Sequence, residues 1–238
     1  MRKSKRAQQA AEVEIDVEQV DGDDVDVAIP DEAESDVEVF DDSKSAPADR
    51  ADEGPFDETE ANPVRPYVDL GGVKIVPREG LHLRLEVEEG SKRVVAVGLD
   101  FAKSTLQVQP FAAPRSAGLW NEIRGQISEQ IQRQGGATSE VDGPFGPEVR
   151  AEIPVMGGDA GMTRLARFIG VDGPRWFLRG VIAGDATVDD EAAEKIEELF
   201  RSVVVVRGTN PMAPRDLIPL TMPKAGPTDG PGATPSQV

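Results

Sequence analysis

Hydrophobic positions between residues 63 and 223 fall into short runs whose spacing switches between two and three-to-four. The change of period marks where strands give way to helices. The clearest case is the stretch WFLRGVIAGDATVDDEAAEKIEELFRSVVVVRG, residues 176–208. Trp176 to Ile182 is a β-type apolar run. Ala192, Ala193, Ile196, Leu199 and Phe200 then recur at helical spacing, with Glu194, Lys195, Glu197 and Glu198 on the other side. Thr187 and Asp190 form a capping-box pattern, which predicts a helix from Thr187 to Arg201. Asp189, Asp190 and Glu191 suit the positive end of its dipole. Val203 to Val206 lacks alternation and predicts a strand covered on both sides.

The same reading extends upstream. Val73–Val76 predicts a short strand. Leu81, Leu83, Leu85 and Val87 alternate with His82, Arg84, Glu86 and Glu88, which is a strand with one wet face. Arg93–Leu99 and Thr105–Phe111 complete an antiparallel meander over 73–111. Leu119, Trp120, Ile123, Ile127 and Ile131 trace one stripe of a helix that Gly135-Gly136 stops. Gly143–Pro147 reads as a loop and Val149, Ala151 and Ile153 as a strand. Met162–Val171 and Arg175–Ala183 predict a hairpin around Asp172-Gly173-Pro174. Leu217–Met222 is apolar enough to lie against the domain. This order predicts an α+β fold: an antiparallel sheet with two helices packed on one face.

Charge separates the folded part from its flanks. The chain of 238 residues has a formal net charge of −18, and residues 1–62 hold 21 acids against 6 bases. Residues 7–43 carry 15 acids and no base. Their acids alternate with small apolar residues, as in Glu14-Ile-Asp-Val-Glu18. The charge density predicts disorder over this leader nonetheless, because such side chains bury too little to offset ordering entropy. Ala46–Pro66, with four prolines, reads as linker. The expected organisation is therefore a disordered acidic tail and linker over 1–62, one domain over 63–223, and a loose Pro/Gly-rich tail over 224–238. Met1–Arg6 is basic, but no apolar stretch follows, so a secretory signal is not expected.

Chemistry-bearing residues are sparse. There is no cysteine, which removes thiolate nucleophiles and Cys-based metal sites. His82 is the single histidine and falls on the polar side of its strand. No GxSxG, HExxH or Walker A pattern occurs, and Gly157–Gly161 lacks the lysine of a phosphate loop. No catalytic, cofactor-binding or metal-binding residue is assigned, and no cofactor is expected. The one constellation is arginine. Arg164, Arg167, Arg175 and Arg179 lie on the 162–182 hairpin, and Arg150 on the strand before it. With Trp176 and Phe177 interleaved, they are candidates for an anion-binding surface. Arg164 and Arg167 differ by an odd number, so an unbroken strand divides them between faces, whereas Arg175 and Arg179 share a face with Phe177.

Trp176–Ile182, Val203–Gly208, Pro211-Met212 and Arg215–Leu220 resemble a family of uncharacterised actinobacterial proteins, a domain of unknown function, over about residues 64–223. The resemblance implies no catalytic residue. The expected role is a non-enzymatic cytoplasmic domain that binds another protein, with an acidic tail that regulates or solubilises. The alternative is a single-stranded nucleic-acid or polyanion binder that uses the arginine hairpin and is autoinhibited by its own tail. No membrane association is expected.

Overall fold

A computed structural model describes residues 14–20, 41–155 and 162–223. The remainder of the acidic leader, the Gly157–Gly161 connection and the tail from 224 lie outside the described residues. In chain order the elements are β1 (Glu14–Val20), α1 (Arg50–Glu53), β2 (Phe56–Asp57), β3 (Val68–Asp69), β4 (Val73–Ile75), β5 (His82–Glu88), β6 (Val94–Phe101) and β7 (Ser104–Ala112). There follow α2 (Trp120–Arg133), β8 (Ala137–Gly143), β9 (Gly146–Pro154), β10 (Thr163–Asp172), β11 (Trp176–Gly184), a 3-10 turn (Asp185–Thr187), α3 (Asp190–Arg201) and β12 (Val204–Val205).

Eight strands form one sheet in the order β1-β5-β6-β7-β11-β10-β9-β8, and β2-β12-β4-β3 form a second, small one. Every pair in the large sheet is antiparallel except β1 with β5. The α+β class with antiparallel pairing therefore holds. The meander holds over β5–β7, but Val73–Ile75 belongs to the small sheet. So does the valine run, of which only Val204–Val205 is strand, at the centre of that sheet with all of Val203–Val205 buried.

The two long helices do not share a face. Successive strand residues point to opposite sides of a sheet. Phe168 and Phe177 pack with Trp120, Ile123, Ile127 and Ile131 of α2. Their neighbours Ile169 and Leu178 pack with Ile196, Leu199 and Phe200 of α3. The sheet is thus covered by α2 on one side and α3 on the other. β10 and β11 are accordingly apolar without alternation along their inner lengths, the pattern of strands buried on both faces. Two glycines on adjacent strands make this possible. A Cβ on Gly170 would overlap the Trp120 ring, and one on Gly180 would come within 2.9 Å of Phe200. Each helix seats its aromatic residue where the sheet has no side chain. Trp120 then stacks on Phe177 at 5.9 Å, and Phe200 meets Phe145 edge-on at 4.8 Å.

The helix ends differ from expectation in instructive ways. α3 begins at Asp190, and its cap is Asp189, whose carboxylate accepts from the Ala192 amide at 2.8 Å. Thr187 sits instead in the 3-10 turn and donates to the Gly184 carbonyl. α2 has no local side-chain cap. Its first amides are met by Asp172, far along the chain, which accepts from Leu119 N at 2.8 Å and Trp120 N at 3.3 Å.

The folded body starts well before residue 63. Asp172 and Ser45 exchange hydrogen bonds, Ser45 N donating to the carboxylate at 3.0 Å and Asp172 N to the Ser45 carbonyl at 2.8 Å. Lys44 Nζ donates to the Gly173 and Pro174 carbonyls. Arg50 makes a two-pronged pair with Glu60 at 2.7 and 2.8 Å and lies 5.7 Å above the Trp176 ring. Trp176 Nε1 donates to Asp57 at 3.0 Å, and β2 pairs with β12. The stretch expected to be linker is therefore a strap over the α3 side of β11. Its prolines and acids resemble a linker in composition, but the acids are spent on Arg50, Trp176 and Arg201. Glu14–Val20 is a second correction. Expected to stay unstructured, it forms β1, because the β5 edge supplies the backbone partners that an isolated charged segment lacks.

Two outcomes are expected. Gly170→Ala forces Trp120 off its seat, an overpacking cost of about 1–3 kcal/mol. Gly90→Ala, with nothing within 4 Å, is close to neutral; urea unfolding of both variants measures the difference. Acidification tests the strap. For Asp57 and Glu60, burial raises the pKa, but this is outweighed by hydrogen bonds from Thr59 and Trp176 to Asp57 and from Arg50 and the Asp57 amide to Glu60, leaving both lowered. Their stabilising contribution is present above the unfolded carboxylate pKa and lost as pH falls through the folded one. Asp172 has the opposite sign: burial outweighs its three amide donors and raises its pKa, so its contribution fades as pH rises. Trp176 fluorescence is therefore expected to change below the ordinary carboxylate range before global unfolding, and Asp57→Asn to flatten that step. A Trp176 signal that moves only with the global transition defeats the assignment.

Candidate interaction surfaces

The five candidate arginines do not meet. Arg164 is exposed and lies on the α2 side of β10, across from Ile153. Arg167 is on the opposite side, 4 % exposed, and fully engaged. It holds Glu148 through two bonds at 3.0 and 2.9 Å, Glu197 of α3 at 2.6 Å, and the Ala186 carbonyl. Burial alone would lower its pKa; hydrogen bonds from the two carboxylates hold it raised. Arg150 is on the same side, cross-strand from Arg167, half exposed, with Nε on Glu148. Arg175 falls in the turn before β11 and donates to the Gly208 carbonyl, so it does not share the strand face of Arg179 and Phe177. Arg179, 2 % exposed, donates to Gln109 and lies 6.0 Å from the Phe111 ring. Only Arg150 and Arg167 come together, and they do so around a buried carboxylate. The sequence offered no sign of Glu148: on an alternating strand it reads as a wet-side residue, yet its side chain is 2 % exposed.

Beyond α2, the same side of the sheet carries a polar array on β5, β6, β7 and β11. Arg84 Nε pairs with Asp100 at 2.8 Å, and Thr105 Oγ1 donates to the same carboxylate at 2.6 Å. Gln107 Nε2 donates to Glu86 at 2.5 Å, and Gln109 Nε2 to the Val95 carbonyl at 3.0 Å. Glu86, Gln109 and Arg179 are all buried. His82 is exposed at the end of this array, as its place on the wet side of the strand predicts. These groups are hydrogen-bonded partners of one another, as buried polar groups must be.

On the α3 side, where α3 no longer covers the sheet, β8, β9 and β10 floor an open groove of about 350 Å³. Ser139, Arg150 and Arg167 form one cross-strand row of its floor, and Ala137, Glu152 and Leu165 the next. Thr187 closes one wall. β8 was not expected as a strand, because the edge position leaves ATSEVDG mostly exposed and without apolar alternation. Beyond the groove, the β9–β10 hairpin exposes Val155, Met162 and Leu165. Among the described residues no His/Cys/Asp/Glu cluster could hold a metal ion, and no helix is long and apolar enough to cross a membrane.

The division of labour among the arginines is testable by paired substitutions. Arg167→Ala strips two buried carboxylates of their partner and is expected to cost roughly 3–5 kcal/mol. Arg164→Ala, exposed on the other side, is expected to change stability by less than about 0.5 kcal/mol. Equal effects in thermal and urea unfolding would contradict this geometry.

No curated protein matches the chain. Residues 54–228, well over half of it, match a family whose description is "Protein of unknown function (DUF3710)", from the strap through the end of the described body. The chain belongs to the DUF3710 family.

Proposed function

We propose that this chain is a non-catalytic protein-interaction domain of the cytoplasm, and that it meets its partner at the β9–β10 end of the large sheet. The observation that carries this reading is the exposed apolar set on that hairpin. Of the six large apolar side chains exposed among the described residues, Val155, Met162 and Leu165 sit there, at 39, 57 and 41 %. Val188, at 73 %, follows the groove residue Thr187. Clustered apolar surface beside a half-exposed arginine is the composition of a binding patch rather than of scattered surface. The interior charges support the same reading. Arg167, Glu148 and Glu197 satisfy one another, and Asp172 caps a helix, so these groups hold the fold. A cysteine-free chain suits a reducing compartment. The acidic leader, net −15 over residues 1–62, would keep such a patch from self-association by mutual repulsion.

A photo-reactive residue placed at Met162 or Leu165 of the full chain, irradiated in its own cells, is expected to give one discrete heterologous adduct. The same residue at Val64, which is 88 % exposed at a distant site, is expected to give none. Adducts of equal yield and identity from all three positions, or none from the hairpin, would sink the proposal.

A further inference from the structure

The outer edge of β5 is already occupied by a strand from far away in the chain. β1 pairs with it in parallel over its whole length, from Glu14 opposite His82 to Val20 opposite Glu88. Twenty residues, 21–40, separate β1 from the strap that begins at Asp41. This is the only parallel pairing in the large sheet. The register is not arbitrary. It sets Glu14, Asp16 and Glu18 against His82, Arg84 and Glu86, the polar row of β5. It sets Ile15 and Val17 against Leu83 and Leu85, the buried row. Two alternations of period two are in phase, and a slip of one residue would put carboxylates opposite leucines. Arg84 lies over Gly98, where a Cβ would stand 3.5 Å from its Nη2, so the acid-facing row has a cation at its centre. The family match starts at residue 54, so β5 lies inside the shared domain and β1 outside it.

We infer that the β5 edge is a strand-addition site for an extended segment alternating carboxylates with β-branched aliphatic residues and running parallel to β5. Glu14–Val20 is its tethered, in-chain competitor. Strand addition draws affinity from main-chain hydrogen bonds and specificity from alternate side chains, and both elements are present here. The leader contains the same pattern twice more, in Asp24-Val-Asp-Val27 and Asp36-Val-Glu-Val39. The edge therefore selects a pattern rather than one unique segment. A flexible tether of this length holds its strand at an effective concentration on the order of millimolar. A partner strand must exceed that level, or the leader must be drawn away, before the edge opens. This inference does not rest on the hairpin patch proposed above, which lies at the opposite end of the sheet.

The test uses the full chain and a fluorescent synthetic peptide of residues 12–22. In one variant Ile15→Pro and Val17→Pro together remove β1 pairing; in a second, Glu14→Lys, Asp16→Lys and Glu18→Lys keep the backbone competent but reverse the charge. Unchanged fluorescence of Trp120 and Trp176 confirms that each variant is folded. The peptide is expected to bind both variants at least about tenfold more tightly than the natural chain. A peptide with lysine at its three acidic positions is expected to lose that binding, and amide exchange across 82–88 to quicken in the proline variant. Equal affinity for natural chain and variants, or no binding to either variant at millimolar peptide, overturns the inference. A natural chain that is a dimer dissolved by the prolines overturns the in-chain assignment. None of these outcomes alters the adducts expected at Met162 and Leu165, so the two proposals fail separately.

Discussion

One buried carboxylate ties three parts of the molecule together. Asp172 stands at the turn between β10 and β11, 3 % exposed, and accepts from the amides of Leu119, Trp120 and Ser45. The first two open α2, and the third belongs to the strap. Lys44 closes the same turn from outside. A helix start leaves amides that need acceptors, and α2 has none nearby in its own sequence. The central hairpin supplies the acceptor, so the position of α2 is set by the sheet rather than by its own cap. Once Trp120 is fixed there, Gly170 must be bare and Phe177 must stack beneath it.

The central part of the fold was legible because it is apolar. Strands β5 to β7, β10 and β11, and the stripes of α2 and α3, follow from spacing alone. What could not be read were features without a burial pattern of their own. β8 is an edge strand of seven mostly exposed residues, and β1 is acid-rich; both are strands only because a neighbouring edge pairs with them. The strap has the composition of a linker, and its order comes from contacts with Trp176 and Asp172 more than 100 residues away. The placement of helices on opposite faces had a signal in the sequence. The unbroken apolar runs of β10 and β11 called for cover on two sides, and a single helical layer could not supply it.

The arginines show the same limit from the side of function. Strand parity correctly parts Arg164 from Arg167, and correctly joins Arg179 to Phe177. It says nothing of Glu148 and Glu197, which turn Arg167 from a surface cation into an interior one. Nor does it show that Arg175 leaves the strand for the turn. Composition can supply a set of charges, but their meaning depends on which opposite charges the fold brings beside them. Here the net acidity of the chain resides mainly in its leader, and the body is nearly balanced because its ions are consumed in pairs.

The strap makes the physical unit larger than the shared one. The family region opens at residue 54, yet Ser45, Asp49 and Arg50 already hold Asp172, Arg201 and the Trp176 ring. A polypeptide trimmed to the shared boundary would leave Asp172 one donor short and strip the indole of its overlying guanidinium. Relatives that begin their ordered part later must either cover that indole with some other group or tolerate a wetter, looser hinge between the two central strands.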